Sequence, residues 1–379
     1  MTLSIAKEQY SAAATGVALE ACRHMQEAQE IWNRIEARQP AWDFNATWIS
    51  FRTWVSHFSR GDVPVLKVTA DGQAVGLFPA RITRRSTAGV RFRIMSSLGN
   101  QHWGTGYPIV GSEPEEAIRA LVLGLKRRRD WDVLEIGPMA SDCLPARLLL
   151  SAAGEANLAP MICHQEDDWQ TQISGTWEEY YMGRSASLRK DVVRGERRLA
   201  ALGRVTFEIS SGGPELSKHF AEFCEVEGSG WKGRGGTAIR CNPAVMRFHE
   251  DLIRSAAERG QLRLFFLRLN GRAVACQEVI LHDNVAYAMK IGRDETLDEC
   301  GLGNILQKRI LEHLFRNRGA HTFDMMIGGG AHSTHKVRWG TAKREYVSLR
   351  FYNPKTLRGL LARSWFSMRS LAQTRRQES

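Results

Sequence analysis

Asp298-Glu299-Cys300-Gly301-Leu302-Gly303-Asn304 is the stretch on which the reading of this 379-residue chain turns. It lies shortly after Val285 to Ile291, which reads as a strand. It opens a run with apolar residues at helical spacing: Ile305, Leu306, Ile310, Leu311 and Leu314. Glycines let the backbone come close to a ligand. The free amides of a helix N-terminus, at the positive end of its dipole, suit a pyrophosphate. Taken alone, Gly-x-Gly is equally an ordinary tight turn.

Outward from this turn, Gln261 to Tyr352 reads as a strand, an Asn270-Gly271 turn, a strand (Ala273 to Leu281) and the strand Val285 to Ile291. After the glycine turn come a helix, a strand (His321 to Met326), a short helix near Thr334 to Trp339 and a last strand (Tyr346 to Tyr352). The same order occurs earlier. Val65 to Val68 and Ala74 to Ile82 flank Asp71-Gly72. A leucine-rich helix (Glu115 to Arg129) then leads into Asp132-Val133-Leu134-Glu135-Ile136. Its later counterpart is Thr322-Phe323-Asp324-Met325-Met326. The pattern predicts two related units of mixed α/β (α+β) architecture, the C-terminal one better formed. Residues 1–40 read as helical, and Trp48, Phe51, Trp54 and Phe58 as the aromatic core face of one helix.

Composition fits this picture. Hydrophobic residues are 43% and charged residues 25%, as in ordinary globular proteins. That excludes a disordered chain, a collagen-like fibre and a small disulfide scaffold. The 52 basic and 41 acidic residues give a net charge of +11, which favours anionic partners. Seven scattered cysteines form no Cys-x-x-Cys pair, so reduced thiols in the cytoplasm are expected. No apolar run is long enough to span a bilayer, and Lys7-Glu8 near the start does not read as a secretory signal.

These features carry a resemblance to a known family. Gly228-Ser229-Gly230-Trp231-Lys232-Gly233, Gly301-Leu302-Gly303, Thr322-Phe323-Asp324 with Gly328, and His335-Lys336-Val337-Arg338-Trp339 are similar to the GNAT acyltransferase superfamily. The branch resembled is that of the cellulose-biosynthesis protein CelD, with a more distant likeness to the FemAB aminoacyltransferases. The fit covers about residues 175–350, and the aromatic opening and Asp-Gly hairpin of the first half resemble the family more loosely. The implied organisation is an N-terminal GNAT-like unit (1–174), a C-terminal acyltransferase domain (175–354) and a basic tail (355–379). The resemblance implies acyl-CoA, with pantetheine along Lys290, Ile291 and Gly292 and pyrophosphate on Gly301, Leu302, Gly303 and Asn304. The family's turn carries Gln or Arg three residues before its first Gly. Here that place is Asp298, an acid beside a phosphate, which leaves an aminoacyl-tRNA open as donor.

Acyl transfer to an amine needs a proton acceptor, donors for the carbonyl oxygen and a proton for the leaving group. Glu278, in the apolar strand after Asn270-Gly271, is a candidate base, or else a solvent-facing residue of an alternating strand. Asp324, at a strand end, is a second candidate, with Lys336 as its electrostatic partner or that of a substrate carboxylate. Trp231, Lys232 and Arg234 suit stacking on a sugar or adenine ring while pairing an anion, or else anchor a loop. Trp339 is grouped with them as substrate-binding. His332 and His335 lack a third ligand at metal spacing, so no metal is expected. Cys300 neighbours the turn but lies in no nucleophile motif.

Two basic regions remain. Trp177 to Leu202 carries Arg184, Arg189, Lys190, Arg194, Arg197 and Arg198 on one expected helix. It is either a solvated face or a wall towards an anionic ligand. Lys355 to Arg376 has six basic and no acidic residues with Leu357, Leu360, Leu361, Trp365, Phe366 and Leu371. It is a helix packed on the domain flank, or one lying on an anionic membrane at its inner face. The expected activity is N-acylation, with acetyl-CoA as donor and an amine of a sugar, polysaccharide precursor or small metabolite as acceptor. Aminoacyl transfer from tRNA and a non-catalytic scaffold of polysaccharide synthesis are the alternatives. The sequence leaves the oligomeric state open.

Overall fold

The computed structural model describes residues 16–38, 43–59, 65–87, 89–100, 107–158, 160–327 and 334–366. Gly328 to Gly330, His332, the first fifteen residues and the tail beyond 366 lie outside them.

The first half runs β1 (Ala18–Ala21), α1 (Met25–Arg38), α2 (Trp48–Phe58), β2 (Val65–Ala70), β3 (Gln73–Thr87), β4 (Val90–Ser97), β5 (Ile109–Val110), α3 (Pro114–Arg127), β6 (Val133–Ala140), α4 (Leu144–Glu155) and β7 (Met161–Gln172). The second runs α5 (Trp177–Met182), α6 (Ala186–Ala201), β8 (Val205–Ser210), α7 (Leu216–Glu227), α8 (Trp231–Arg234), α9 (Pro243–Glu258), β9 (Leu262–Leu269), β10 (Arg272–His282) and β11 (Val285–Arg293). It continues with α10 (Leu302–Asn317), β12 (Thr322–Asp324), α11 (Thr334–Trp339) and β13 (Ala342–Tyr352). Both hairpins form on the expected turns. Asp71, Gly72, Asn270 and Gly271 all have positive φ, as a two-residue hairpin loop demands.

Two expectations change. Residues 18–21 are a strand, because edge pairing with β2 outweighs local helical periodicity. The stretch 177–202 is two helices. Thr176 and Glu179 form a reciprocal cap for α5, and Ser185 caps α6 afresh.

The strands form one mixed sheet in the order β1-β2-β3-β4-β6-β13-β7-β12-β11-β10-β9-β8, with β5 on the flank of β3. The order is palindromic in structural role. Each half has four antiparallel strands, then a helix, then a strand parallel to the fourth: β6 beside β4, β12 beside β11. The last strand of each half crosses over. β7 pairs with β12, and β13 with β6. β7 and β13 pair with each other at the centre. Residue 174 therefore follows a strand that completes the second half's part of the sheet.

Apolar helix faces cover both sides. Leu302, Ile305, Leu306, Ile310 and Leu311 of α10 are buried with Leu188 and Val192 of α6. Phe220 and Phe223 of α7 and Phe248 and Leu252 of α9 are buried in a second cluster with α1 to α4. There Phe58 packs on Phe248 at 5.3 Å, and His57 bonds Asp251 at 2.7 Å. A helix over 357–366 docks on the sheet's flank through Ala362 and Phe366, against Phe92, Val133 and Tyr352. Its opposite side exposes Leu357, Leu360, Leu361 and Trp365.

Candidate active site

The site begins with a fork in the sheet. β11 and β12 pair over three rungs, ending at Tyr287 opposite Asp324. The β10 register shifts between Glu278 and Val279, which leaves Met289 of β11 as an extra, bulged residue. Beyond it, β11 continues to Arg293 while β12 has ended. Bulges bend a strand and end pairing, which opens the fork here.

At the mouth of the fork stands the glycine turn. Gly301 has φ 65° and caps α10. The amides of Asn304 and Ile305 turn back to the Gly301 carbonyl. Those of Leu302 and Gly303 are left at the open helix end. A cleft of about 570 Å³ runs from the turn along β11, lined by Glu227, Trp231, Lys232, Ile291, Gly303 and His335. A hollow of about 240 Å³ adjoins it at Arg293, Asp298 and Gly301. A side chain at Gly303 would enter open space, whereas one at Gly292 would meet the Glu227 backbone at 2.5 Å.

The charges around the cleft are mostly paired. Asp298 is held by Arg293 at 2.9 Å, so the acid at the turn carries its own counter-ion. Lys232 donates to the Ile291 carbonyl at 2.6 Å and pairs with Glu227 at 3.2 Å. Arg234 pairs with Glu295 at 2.7 Å, and Glu295 also accepts from the Trp231 amide. The Trp231 side chain is 55% exposed beside the cleft. His335 has a buried Nε2 with no hydrogen-bond partner among the described residues. Burial, then Arg338, Arg293 and Lys336, pull its pKa down to about 4, so the imidazole is neutral at pH 7.

Other expected site residues sit elsewhere. Trp339, expected at the substrate, is fully buried and donates to Asn304 Oδ1 at 3.1 Å, tying α11 to the turn. Glu278, the expected base, is fully buried and bonds His249 Nδ1 at 3.1 Å beneath α9, away from the cleft lining. Lys290 faces Glu278 across the β10–β11 ladder. Burial, then Lys232, holds its pKa below the usual lysine value. The cations of 184–198 divide. Arg184, ahead of α6, donates to the Gly340 carbonyl and Arg198 to that of Glu299 beside the turn, while Lys190, Arg194 and Arg197 face solvent.

Asp324 stands at the apex of the fork, 2% exposed. It accepts from Gln170 Nε2 and from the Met326 amide, both at 2.8 Å. Lys336 reaches not Asp324 but Asp168 of β7, at 3.3 Å. The expected pair is thus a triad. Asp168 is fully buried, and its Oδ2 has no hydrogen-bond partner among the described residues. Burial, then the neighbouring Asp324, pushes its pKa up to about 8. Sequence reasoning missed Asp168, because its strand belongs to the first half and enters the site only through the crossover. The one signal was an acidic run in a strand, Glu166-Asp167-Asp168.

Among the described residues the first half has no matching anion turn. α3 opens on Glu113-Pro114-Glu115-Glu116, with acids in its first turn and no amide at Pro114. Its fork, a hollow of about 270 Å³, holds Glu135 at the third rung opposite Ser96. Arg350 of β13 bonds Glu135 at 2.7 Å. Among the described residues no group of three His, Cys, Asp or Glu is placed to hold a metal, and no helix is long and apolar enough to cross a membrane.

The family described as acetyltransferase (GNAT) domain matches residues 186–336, which include the glycine turn, both strands of the fork and Lys336. No curated protein matches the chain. The solved structure of FemX is similar in fold, with a TM-score of 0.54 at 14% identity over 86% of this chain and 95% of that one. The C-terminal domain of a putative lysylphosphatidylglycerol synthetase from Agrobacterium fabrum gives a TM-score of 0.51 at 14% identity, over 89% of this chain and 95% of that one. Residues 186–336 form a GNAT acetyltransferase-like domain.

Proposed function

We propose that the protein transfers an acyl group, acetyl in the simplest case, from acyl-CoA to an amine of a sugar, a polysaccharide precursor or a small metabolite. One observation carries this reading: a helix-capping glycine turn and an open cleft lie along β11, the strand that parts from β12 where Asp324 is buried. Gly301 to Asn304 are the place for the pyrophosphate, with Arg293 answering the charge of Asp298. Lys290 to Gly292 line the path of the pantetheine arm. From Arg293 to Ala288 is about 17 Å of extended strand, a length that suits that arm and ends it at Asp324. Trp231 and Lys232 border the same cleft, with Arg234 held beside them by Glu295, and the three suit a ring bearing an anion. The polysaccharide acceptor rests on the CelD-like resemblance alone.

A second reading keeps the chemistry and changes the donor to aminoacyl-tRNA. The likeness of fold to FemX over most of the chain favours it, as do the solvent-facing cations of α6. Melting temperature measured with acetyl-CoA, and in parallel with tRNA, separates the two. A ligand at about a hundred times its Kd adds about 2.7 kcal/mol, a shift of a few degrees. The Gly303→Glu variant keeps the unliganded melting temperature, since its side chain meets open space, and loses the acetyl-CoA shift. A shift with tRNA and none with acetyl-CoA selects the second donor. A Gly303→Glu protein that responds to acetyl-CoA like the parent removes the turn from the site.

A further inference from the structure

The two halves of the sheet offer an internal comparison. Each places a carboxylate at the third rung of its fork: Glu135 opposite Ser96, and Asp324 opposite Tyr287. The neighbour of each on the crossing strand differs. Glu135 lies beside Arg350, which bonds it through both Nε and Nη2. Asp324 lies beside Gln170, a neutral amide. Two residues back on the crossing strand stands Ser348 in the first fork and Asp168 in the second. One copy is thus neutralised in place. The other gathers two carboxyl groups against one lysine.

Around Asp324 and Asp168 the charged groups are few. Lys336 of α11 reaches Asp168. Asp43, whose pKa burial raises, lies near Asp324 and is bonded by the Tyr107 hydroxyl. Arg344 of β13, opposite Asp168 in the ladder, is engaged by Asp142 at 3.1 Å. At neutral pH the pair holds one proton, because burial and the charge of Asp324 oppose a second ionisation, so an arriving cation displaces that proton to solvent. Asp168 Oδ2, fully buried and without a hydrogen-bond partner among the described residues, is the acceptor so freed.

We infer that Asp168 and Asp324, brought together from the two halves of the chain, form the subsite for a primary ammonium group of the acceptor and receive its proton. This rests on the acyl-transfer reading above. The acceptor enters as R–NH₃⁺, and one proton passes to the carboxyl pair. The freed nitrogen attacks the carbonyl carbon of the acyl thioester. The C–N bond forms, the C–S bond breaks, and the leaving thiolate takes the nitrogen's second proton. Ammonium and thioester thus give amide, thiol and one proton, which the pair releases to solvent. Lys336 is a positioning residue that keeps Asp168 turned towards Asp324.

The test uses the full chain labelled with carbon-13 at the aspartate carboxyl groups, titrated with propylammonium chloride and, separately, n-propanol. Two carboxyl resonances shift with propylammonium and stay still with propanol. Asp168→Asn and Asp324→Asn each remove one of the two and weaken the response of the other at least tenfold. Gln170→Arg, which copies the Arg350 arrangement beside Asp324, abolishes the response and identifies the pair should either Asn variant fail to fold. An equal response to propanol, no response in the parent, or an undiminished one in Gln170→Arg overturns the inference. The acetyl-CoA melting shift, read on the same parent sample, judges the donor reading separately.

Discussion

Asp168 and His335 put opposite pH dependences into the folded state. The native Asp168 carboxyl holds its proton up to about pH 8, while the unfolded chain gives it up near the ordinary carboxylate value of about 4. Its contribution to stability is complete at low pH and is lost as pH rises towards 8. His335 is lowered to about 4, so its contribution is lost as pH falls from about 6.5 towards 4. Between pH 6.5 and 8 only Asp168 of the two acts. The melting temperature should therefore fall across that window, and fall less steeply in Asp168→Asn; parallel slopes in the two proteins would contradict the burial argument. Asp324, Lys336 and the glycine turn were legible as candidates, because strand ends and helix starts are visible in a pattern. Trp339 was not placed correctly by that route. A six-residue helix has too few turns to show which face is apolar, and this tryptophan went into the core.

At the scale of the element, the glycines of the cleft divide into two kinds. Gly292 lets α7 lie directly on β11, and an added Cβ would press on backbone. Gly303 faces the open cleft. Gly292→Ala should lower the melting temperature clearly, by an amount typical of overpacking, about 1–3 kcal/mol, while Gly303→Ala changes it little. Similar losses in both would mean the cleft is closed at Gly303. The helix over 357–366 shows why its two readings were both available from sequence. Gly359 and Ala362 make a small-residue face that docks on the flank, with the Gly359 Cβ position pressed against the Asn353 carbonyl. Leu357, Leu360, Leu361 and Trp365 point away, with Arg358 and Arg363 also exposed. We expect the protein to sediment with phosphatidylglycerol vesicles at low salt, and to stay in solution when residues 355–379 are removed. Equal sedimentation of both forms would clear the tail of that role.

At the scale of the whole molecule, the repeated order of strands and helices was readable from its two Asp-Gly and Asn-Gly hairpins and its two acid-bearing strands. The exchange of β7 and β13 was not. Pairing across such distances in sequence leaves no local period, and either strand would read the same in its own half. Its consequence for fragments is direct. A piece spanning 175–354 lacks β7 and exposes one edge of β12 and both edges of β13. It should aggregate or melt without cooperativity; a sharp, reversible melt from that fragment would show that the halves are independent.

The same exchange sets an order on synthesis. β6 ends at Ala140, and its partner β13 is not complete until Tyr352 has left the ribosome. Roughly 200 residues separate the two, or about 10–40 s of translation. Throughout that interval the leading half carries an unpaired strand edge waiting for the end of the chain. The centre of the finished sheet is therefore the last part to close, and a nascent chain stalled before β13 is the form most in need of a chaperone.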